Sequence, residues 1–139
     1  MIDLDRERTI EKACNVLATA LPDAWAIYVY GSFARGDEWP DSDLDLAVLQ
    51  AHGVGVADKL GLIAEVSRHV GRDVDIVNLR EAGLDLAHEV LREGRPLLVR
   101  RESDVLGWEA ERMTDYAEFN PRRADILALY LHEPLRASS

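Results

Sequence analysis

A single cysteine, Cys14, is all that this 139-residue chain carries. No disulfide can form within it, and a reducing, cytoplasmic setting is expected. No apolar run approaches the ~20 residues that a membrane-spanning helix needs. The opening MIDLDRERTIEK is charged where a secretory leader would be apolar, so neither export nor a membrane is expected. Basic residues are in deficit, with 16 Lys and Arg against 26 Asp and Glu and a net charge of −10. That balance excludes nucleic-acid binding by broad phosphate neutralisation, but leaves room for a nucleotide bound locally with a divalent cation. There are no internal repeats and no low-complexity segments. His52, His69, His88 and His132 are scattered without metal-ligand spacing, which points to surface or structural roles. The stretch GSFARGDE lacks the Lys-Ser/Thr of an NTPase phosphate loop, so that reading is excluded.

What is present describes one folded domain over residues 1–139. The hydrophobic fraction is 47%, ordinary for a globular protein. Ile10, Ala13, Cys14, Leu17 and Leu21 recur at helical spacing until Pro22 ends the first helix, with Cys14 on its core face. WAIYVY, closed by Gly31, reads as a buried strand. DLDLAVL reads as a half-buried strand, because it alternates. A helix is expected over 58–70 with Gly71 as its stop, and DVDIVNL is another alternating strand. Residues 86–93 read as helix, and RPLLV as a strand that Pro96 assigns to a sheet edge. A long helix is expected over 104–119, with Trp108, Tyr116 and Phe119 in the core or an interface. Asn120-Pro121 breaks it before RRADILALYL resumes as helix, where Arg122 and Arg123 form a solvated turn or meet an acidic partner. The order α-β-β-α-β-α-β-α predicts an α/β (α+β) fold, a small mixed β-sheet flanked by helices. Its core spans about 22–100 and a C-terminal helical segment about 104–131.

The chemistry concentrates in GSFARGDEWPDSDLDL, residues 31–46. Alternation puts Asp43 and Asp45 on one face of their strand, opposite Leu44, Leu46 and Val48. Asp73 and Asp75 share a face of the next strand in the same way, and if the two strands are neighbours either could complete a three-carboxylate cluster. Asp75 lies deeper in the apolar run and is the preferred third member. Like charges gathered this closely repel, which calls for a cation. Hard oxygen donors suit Mg²⁺, two ions being the usual number, with Mn²⁺ as the substitute. Upstream, Gly31 and Ser32 end a buried strand and begin a new turn, where backbone N–H groups can approach a phosphate. Ser32 adds a hydroxyl and Arg35 a planar cationic fork. Asp37, Glu38 and Asp41 read as loop solvation.

Gly31-Ser32, ten intervening residues, then Asp43-Leu44-Asp45 resembles the signature of the DNA polymerase β-like nucleotidyltransferase superfamily. More narrowly, GSFARGDEWPDSDLDLAVL and GRDVDIVNL resemble the minimal nucleotidyltransferases, many of them MntA-type antitoxins paired with HEPN ribonuclease toxins. The resemblance implies that Gly31, Ser32 and Arg35 contact the nucleotide phosphates. It implies that Asp43, Asp45 and Asp75 are catalytic and hold the metal ions. It further implies an enzyme that moves AMP from ATP to a tyrosine hydroxyl of a cognate HEPN toxin, with no nucleic-acid substrate. Two alternatives accompany it. One is a small-molecule acceptor, as in antibiotic nucleotidyltransferases, for which the chain has little room. The other is a non-catalytic antitoxin that covers its toxin, suggested by the long C-terminal helix.

Overall fold

The computed structural model describes residues 3–119. The expected helix over 122–131, Arg122, Arg123 and His132 lie outside them. In chain order the elements are α1 (Leu4–Ala20), β1 (Ala26–Tyr30), α2 (Ser32–Arg35), β2 (Leu44–Leu49), α3 (Lys59–Val70), β3 (Val74–Asn78), α4 (Leu84–Glu93), β4 (Arg95–Val99) and α5 (Glu102–Phe119). The expected order holds with one addition, α2, which is too short to show a period of its own. Helix α4 starts two residues earlier than its apolar pattern suggests. Gly83 in an extended conformation is its cap, and the Ala87 amide donates to the Gly83 carbonyl at 3.0 Å.

Local chemistry explains the helix ends. Asp3 caps α1 by accepting from the amides of Asp5 and Arg6 at 3.0 and 3.1 Å. The other end of α1 has no basic residue in its last turn. Arg100 arrives there from beyond β4 and donates to the carbonyls of Ala18 and Leu21 at 2.9 and 2.7 Å. Gly71 ends α3 in the left-handed conformation, as its sequence position predicts.

The four strands run in the order β3-β2-β1-β4. Strand β1 is antiparallel to β2 and β4, while β2 and β3 are parallel, so the sheet is mixed. Pro96 lies on β4, an edge strand, where a missing N–H costs least. One sheet face packs Ile27, Val29, Leu46, Val48 and Ile76 against α1 and α3. The other packs Tyr28, Tyr30, Ala47 and Leu49 under α4 and α5. Strand β2 is therefore covered on both sides from Leu46 to Leu49, rather than half-buried as its initial alternation suggests. Ala47 is the reason: a small apolar residue in the outward phase lets helices close over that face.

Helix α5 is tied to the sheet by a bond that the apolar pattern does not reveal. The Tyr28 hydroxyl donates to Glu109 Oε2 at 2.9 Å. Burial pushes the Glu109 carboxyl up, and the tyrosine bond holds it back. Tyr28→Phe is expected to lower stability by about 1–3 kcal/mol at pH 7, because Glu109 then keeps its burial and loses its donor. Urea unfolding at pH 7 checks this, and recovery in the Tyr28→Phe/Glu109→Leu double variant would identify the stranded carboxylate as the cause.

Candidate active site

Strand pairing assembles the candidate residues into a row. Tyr30, the last residue of β1, is the cross-strand partner of Asp45, and Asp45 is in turn the partner of Asp75 on β3. Directly paired residues point to the same face, so Tyr30, Asp45 and Asp75 line up across three strands. Asp43 lies two residues upstream of Asp45, exposed just before β2 begins, and Asp75 is exposed as well. Asp73 precedes β3, and its carbonyl accepts from the Leu44 amide at 2.9 Å.

Asp45 is the most perturbed of these carboxyls. Partial burial pushes it up to about 6, with the negative charges of Asp75, Asp43 and Glu89 adding to the effect and Arg35 opposing it. Asp73 is not among the charges that act on it, which leaves Asp75 as its strand-borne neighbour. The Tyr30 hydroxyl is held protonated far above its ordinary range by burial and by Asp45, Asp75 and Glu89. Glu89 reaches this environment from α4. Neither Tyr30 nor Glu89 follows from sequence spacing, because one depends on pairing and the other on how α4 packs. The only available hint for Tyr30 is its place directly before Gly31.

Gly31 makes the turn that follows. Its backbone has φ 71° and ψ −151°, a region that only glycine occupies without strain. A Cβ at this position would fall onto Oδ2 of Asp45. The glycine thus serves the carboxylate as well as the turn. Ser32 opens α2 half-buried, and the amides of Ala34 and Arg35 close the turn onto the Gly31 carbonyl, both at 3.1 Å. The first amides of such a turn have no intrahelical acceptor. Arg35 ends the turn exposed, its guanidinium paired with Asp37 at 3.1 Å and with Glu93 at 3.5 Å.

The connecting loop is more organised than loop solvation implies. Glu38 accepts a forked bond from Arg6 Nε, 2.9 Å to each oxygen, and Arg6 Nη2 also donates to the Gly36 carbonyl at 3.3 Å. Arg72 donates to the Ser42 carbonyl at 2.8 Å and lies 4.7 Å above the Phe33 ring. These contacts anchor the loop to α1 and to the start of β3, and so hold Asp43 in place. Glu38→Gln is expected to speed amide exchange in residues 36–43 by about tenfold or more while the sheet stays protected. Hydrogen–deuterium exchange resolved by segment checks it, and unchanged loop protection would remove the anchoring role.

Among the described residues no group of three or more His, Cys, Asp or Glu side chains converges closely enough to hold a metal ion. The donor set still fits a hard divalent cation: carboxylate oxygens only, on adjacent strands, with like-charge repulsion that a cation would relieve. Asp43 is close enough for its charge to act on the Asp45 carboxyl.

Residues 11–103, from α1 through β4, match the family model described as polymerase beta, nucleotidyltransferase. The chain belongs to the polymerase beta nucleotidyltransferase family. Within it, the chain is homologous to the protein adenylyltransferase MntA of Shewanella oneidensis, with 30% identity over 95 residues, 68% of each chain. A crystal structure of a toxin–antitoxin with AMP-PNP superposes with a TM-score of 0.71 at 27% identity, covering 84% of this chain and 94% of that one. A candidate minimal nucleotidyltransferase superposes with a TM-score of 0.56 at 35% identity, covering 66% of this chain and 95% of the other. Helix α5 lies almost wholly beyond the family match. No helix among the described residues is long and apolar enough to cross a membrane.

Proposed function

We propose that this nucleotidyltransferase is an antitoxin that transfers AMP from ATP to a tyrosine hydroxyl of a cognate HEPN ribonuclease toxin and thereby silences it. The observation that carries the reading is the pairing of Asp45 with Asp75 beside the Gly31–Ser32 turn. Similarity to a protein adenylyltransferase and to a toxin–antitoxin solved with AMP-PNP supports ATP as donor and a protein as acceptor.

In this reading Asp43, Asp45 and Asp75 hold Mg²⁺, which when bound neutralises triphosphate charge and stabilises the leaving pyrophosphate. The turn at Gly31 and Ser32 receives phosphate oxygens through its first amides and the serine hydroxyl. Arg35 exchanges its pairing with Asp37 and Glu93 for the triphosphate. Asp75, exposed where Asp45 is half-buried, accepts the proton of the acceptor hydroxyl. The phenolic oxygen then bonds to the α-phosphorus as the bond to the β-phosphate oxygen breaks. Tyr30 and Glu89 border the row, and Tyr30 stays protonated throughout.

The test mixes the purified protein, Mg²⁺, ATP labelled at the α-phosphate, and the HEPN protein encoded beside it. Label is expected on a tyrosine of the HEPN protein, with loss of its ribonuclease activity. Toxin neutralisation without any label, undiminished in Asp43→Asn, would replace this reading with that of a purely binding antitoxin.

A further inference from the structure

The end of the sheet away from the carboxylates holds a second concentration of polar chemistry. Trp25 lies just before β1 and Tyr30 at its far end, so β1 separates the two regions by about 17 Å at ~3.3 Å per residue. At the Trp25 end a cleft of about 500 Å³ is lined by Trp25, Arg80, Trp108 and Arg112, with Asp104 and Glu111. Trp108 is only 3% exposed, and its indole N–H has no hydrogen-bond acceptor among the described residues. Four residues along the same helix, the buried Nε–H of Arg112 has none either. The Arg112 guanidinium lies 5.7 Å from the Trp108 ring, so the two donors are neighbours. Buried donors without partners are rare in folded proteins, and two together in a cleft wall point to an acceptor from outside.

The charges around them agree. Arg80 is fixed by a bond from Nε to the Gln50 carbonyl at 2.8 Å and lies 4.9 Å over the Trp25 ring. Arg101 lies over the same ring at 5.5 Å. Burial and the like charge of Arg112 both work against the Arg80 guanidinium, with Glu111 opposing them. The cleft's carboxylates are engaged: Asp104 pairs with Arg101 at 2.7 Å, and Glu111 with Arg112 at 3.3 Å. Asp115 takes the Arg112 terminal nitrogen at 2.8 Å. The wall thus offers two buried N–H donors, Trp108 Nε1 and Arg112 Nε, that no acceptor among the described residues takes, beside the charge of Arg80.

We propose that this cleft is a second ligand site that takes an oxyanion, a phosphoryl or carboxylate group, on Trp108 Nε1, Arg112 Nε and the Arg80 guanidinium. An oxyanion there satisfies both orphaned donors and relieves the Arg80–Arg112 repulsion. Its position rules out a shared role with the nucleotide turn, which lies beyond the other end of β1.

The experiment titrates inorganic phosphate, pyrophosphate and acetate separately into the full chain at constant ionic strength. Binding is read by the melting temperature and by tryptophan emission. Saturable binding is expected, weakened about tenfold or more in Trp108→Phe, which deletes one N–H, and in Arg112→Lys, which keeps the charge but loses the Nε donor. Either variant alone suffices if the other fails to fold. Tighter binding of the phosphates than of acetate assigns the site to phosphoryl groups, and the reverse assigns it to carboxylates. An Asp43→Asn/Asp45→Asn control is expected to retain the response, which separates this site from the transfer site. No response to any of the three anions, binding in both cleft variants as tight as in the parent, or loss of the response in the Asp control would overturn the proposal.

Discussion

Asp45→Asn is expected to cut AMP transfer by about 1,000-fold or more and yet to raise the melting temperature of the metal-free protein at pH 7. Under the proposed function the loss follows from removing an anionic metal ligand at the centre of the row, where neutralising the triphosphate charge would carry most of the catalysis. The gain follows from the environment of the carboxyl. Asp45 is pushed up to about 6 in the folded chain from an ordinary 3.8, by burial first and then by Asp75 and Asp43. Between those two values the folded state binds a proton that the unfolded state has released, so stability falls as pH rises. The penalty is complete above pH ~6 and absent below ~3.8. Asparagine keeps the size and removes the charge. The stability advantage of the variant over the parent is therefore expected to be largest at pH 7 and to shrink toward pH 4.5. Mg²⁺ is expected to stabilise the parent alone, since a ligand that binds only the native state raises its apparent stability. Thermal melts of both proteins at pH 4.5, 5.5 and 7, with and without Mg²⁺, check all three expectations. A variant less stable than the parent at pH 7 without metal would show that Asp45 is held by bonds rather than strained by its neighbours.

Gly31→Ala carries the second large effect, and there fold and site fail together. The methyl group would sit in a backbone region closed to side chains, at φ 71° and ψ −151°, and would overlap Oδ2 of Asp45. Backbone strain of this kind costs about 1–3 kcal/mol, and displacing a packed carboxylate adds to it. A total near ~3 kcal/mol lowers the melting temperature by roughly 10 °C in a domain of this size. Transfer is expected to fall by about 100-fold or more even at 20 °C, where the variant remains folded, because Asp45 and the first amides of α2 move relative to each other. Gly71→Ala is the control. It also has φ 71°, but no atom of the described residues lies within 4 Å of the added Cβ, so it is expected to lose stability and keep transfer. Equal loss of transfer in both variants would mean that Gly31 acts only through stability.

The site was legible to different depths in different residues. Asp43 and Asp45 declare a shared face by alternation alone, since successive side chains on a strand point opposite ways. Gly31 and Ser32 are marked by the abrupt end of an apolar strand. Alternation gives no information about which strand lies alongside, however, so the preference for Asp75 over Asp73 rests only on its deeper place in the apolar run. Parallel register with β2 separates them by pairing Asp75 with Asp45. Glu38 and Asp37 look like solvating acids in one dimension because their partners, Arg6 and Arg35, are named only by distance.

Sequence alone determined every element but α2, which side chains share a strand face, and the glycine-marked turn and acidic character of residues 31–46, because each is written in local periodicity and residue type. Tertiary structure alone decided the row Tyr30–Asp45–Asp75, the approach of Glu89 from α4, the collision that keeps residue 31 a glycine, and the aromatic and arginine cleft at the far end. Each of these depends on strand order and helix packing between residues distant in the chain. Those are set by burying the whole apolar surface at once, and no single segment encodes them.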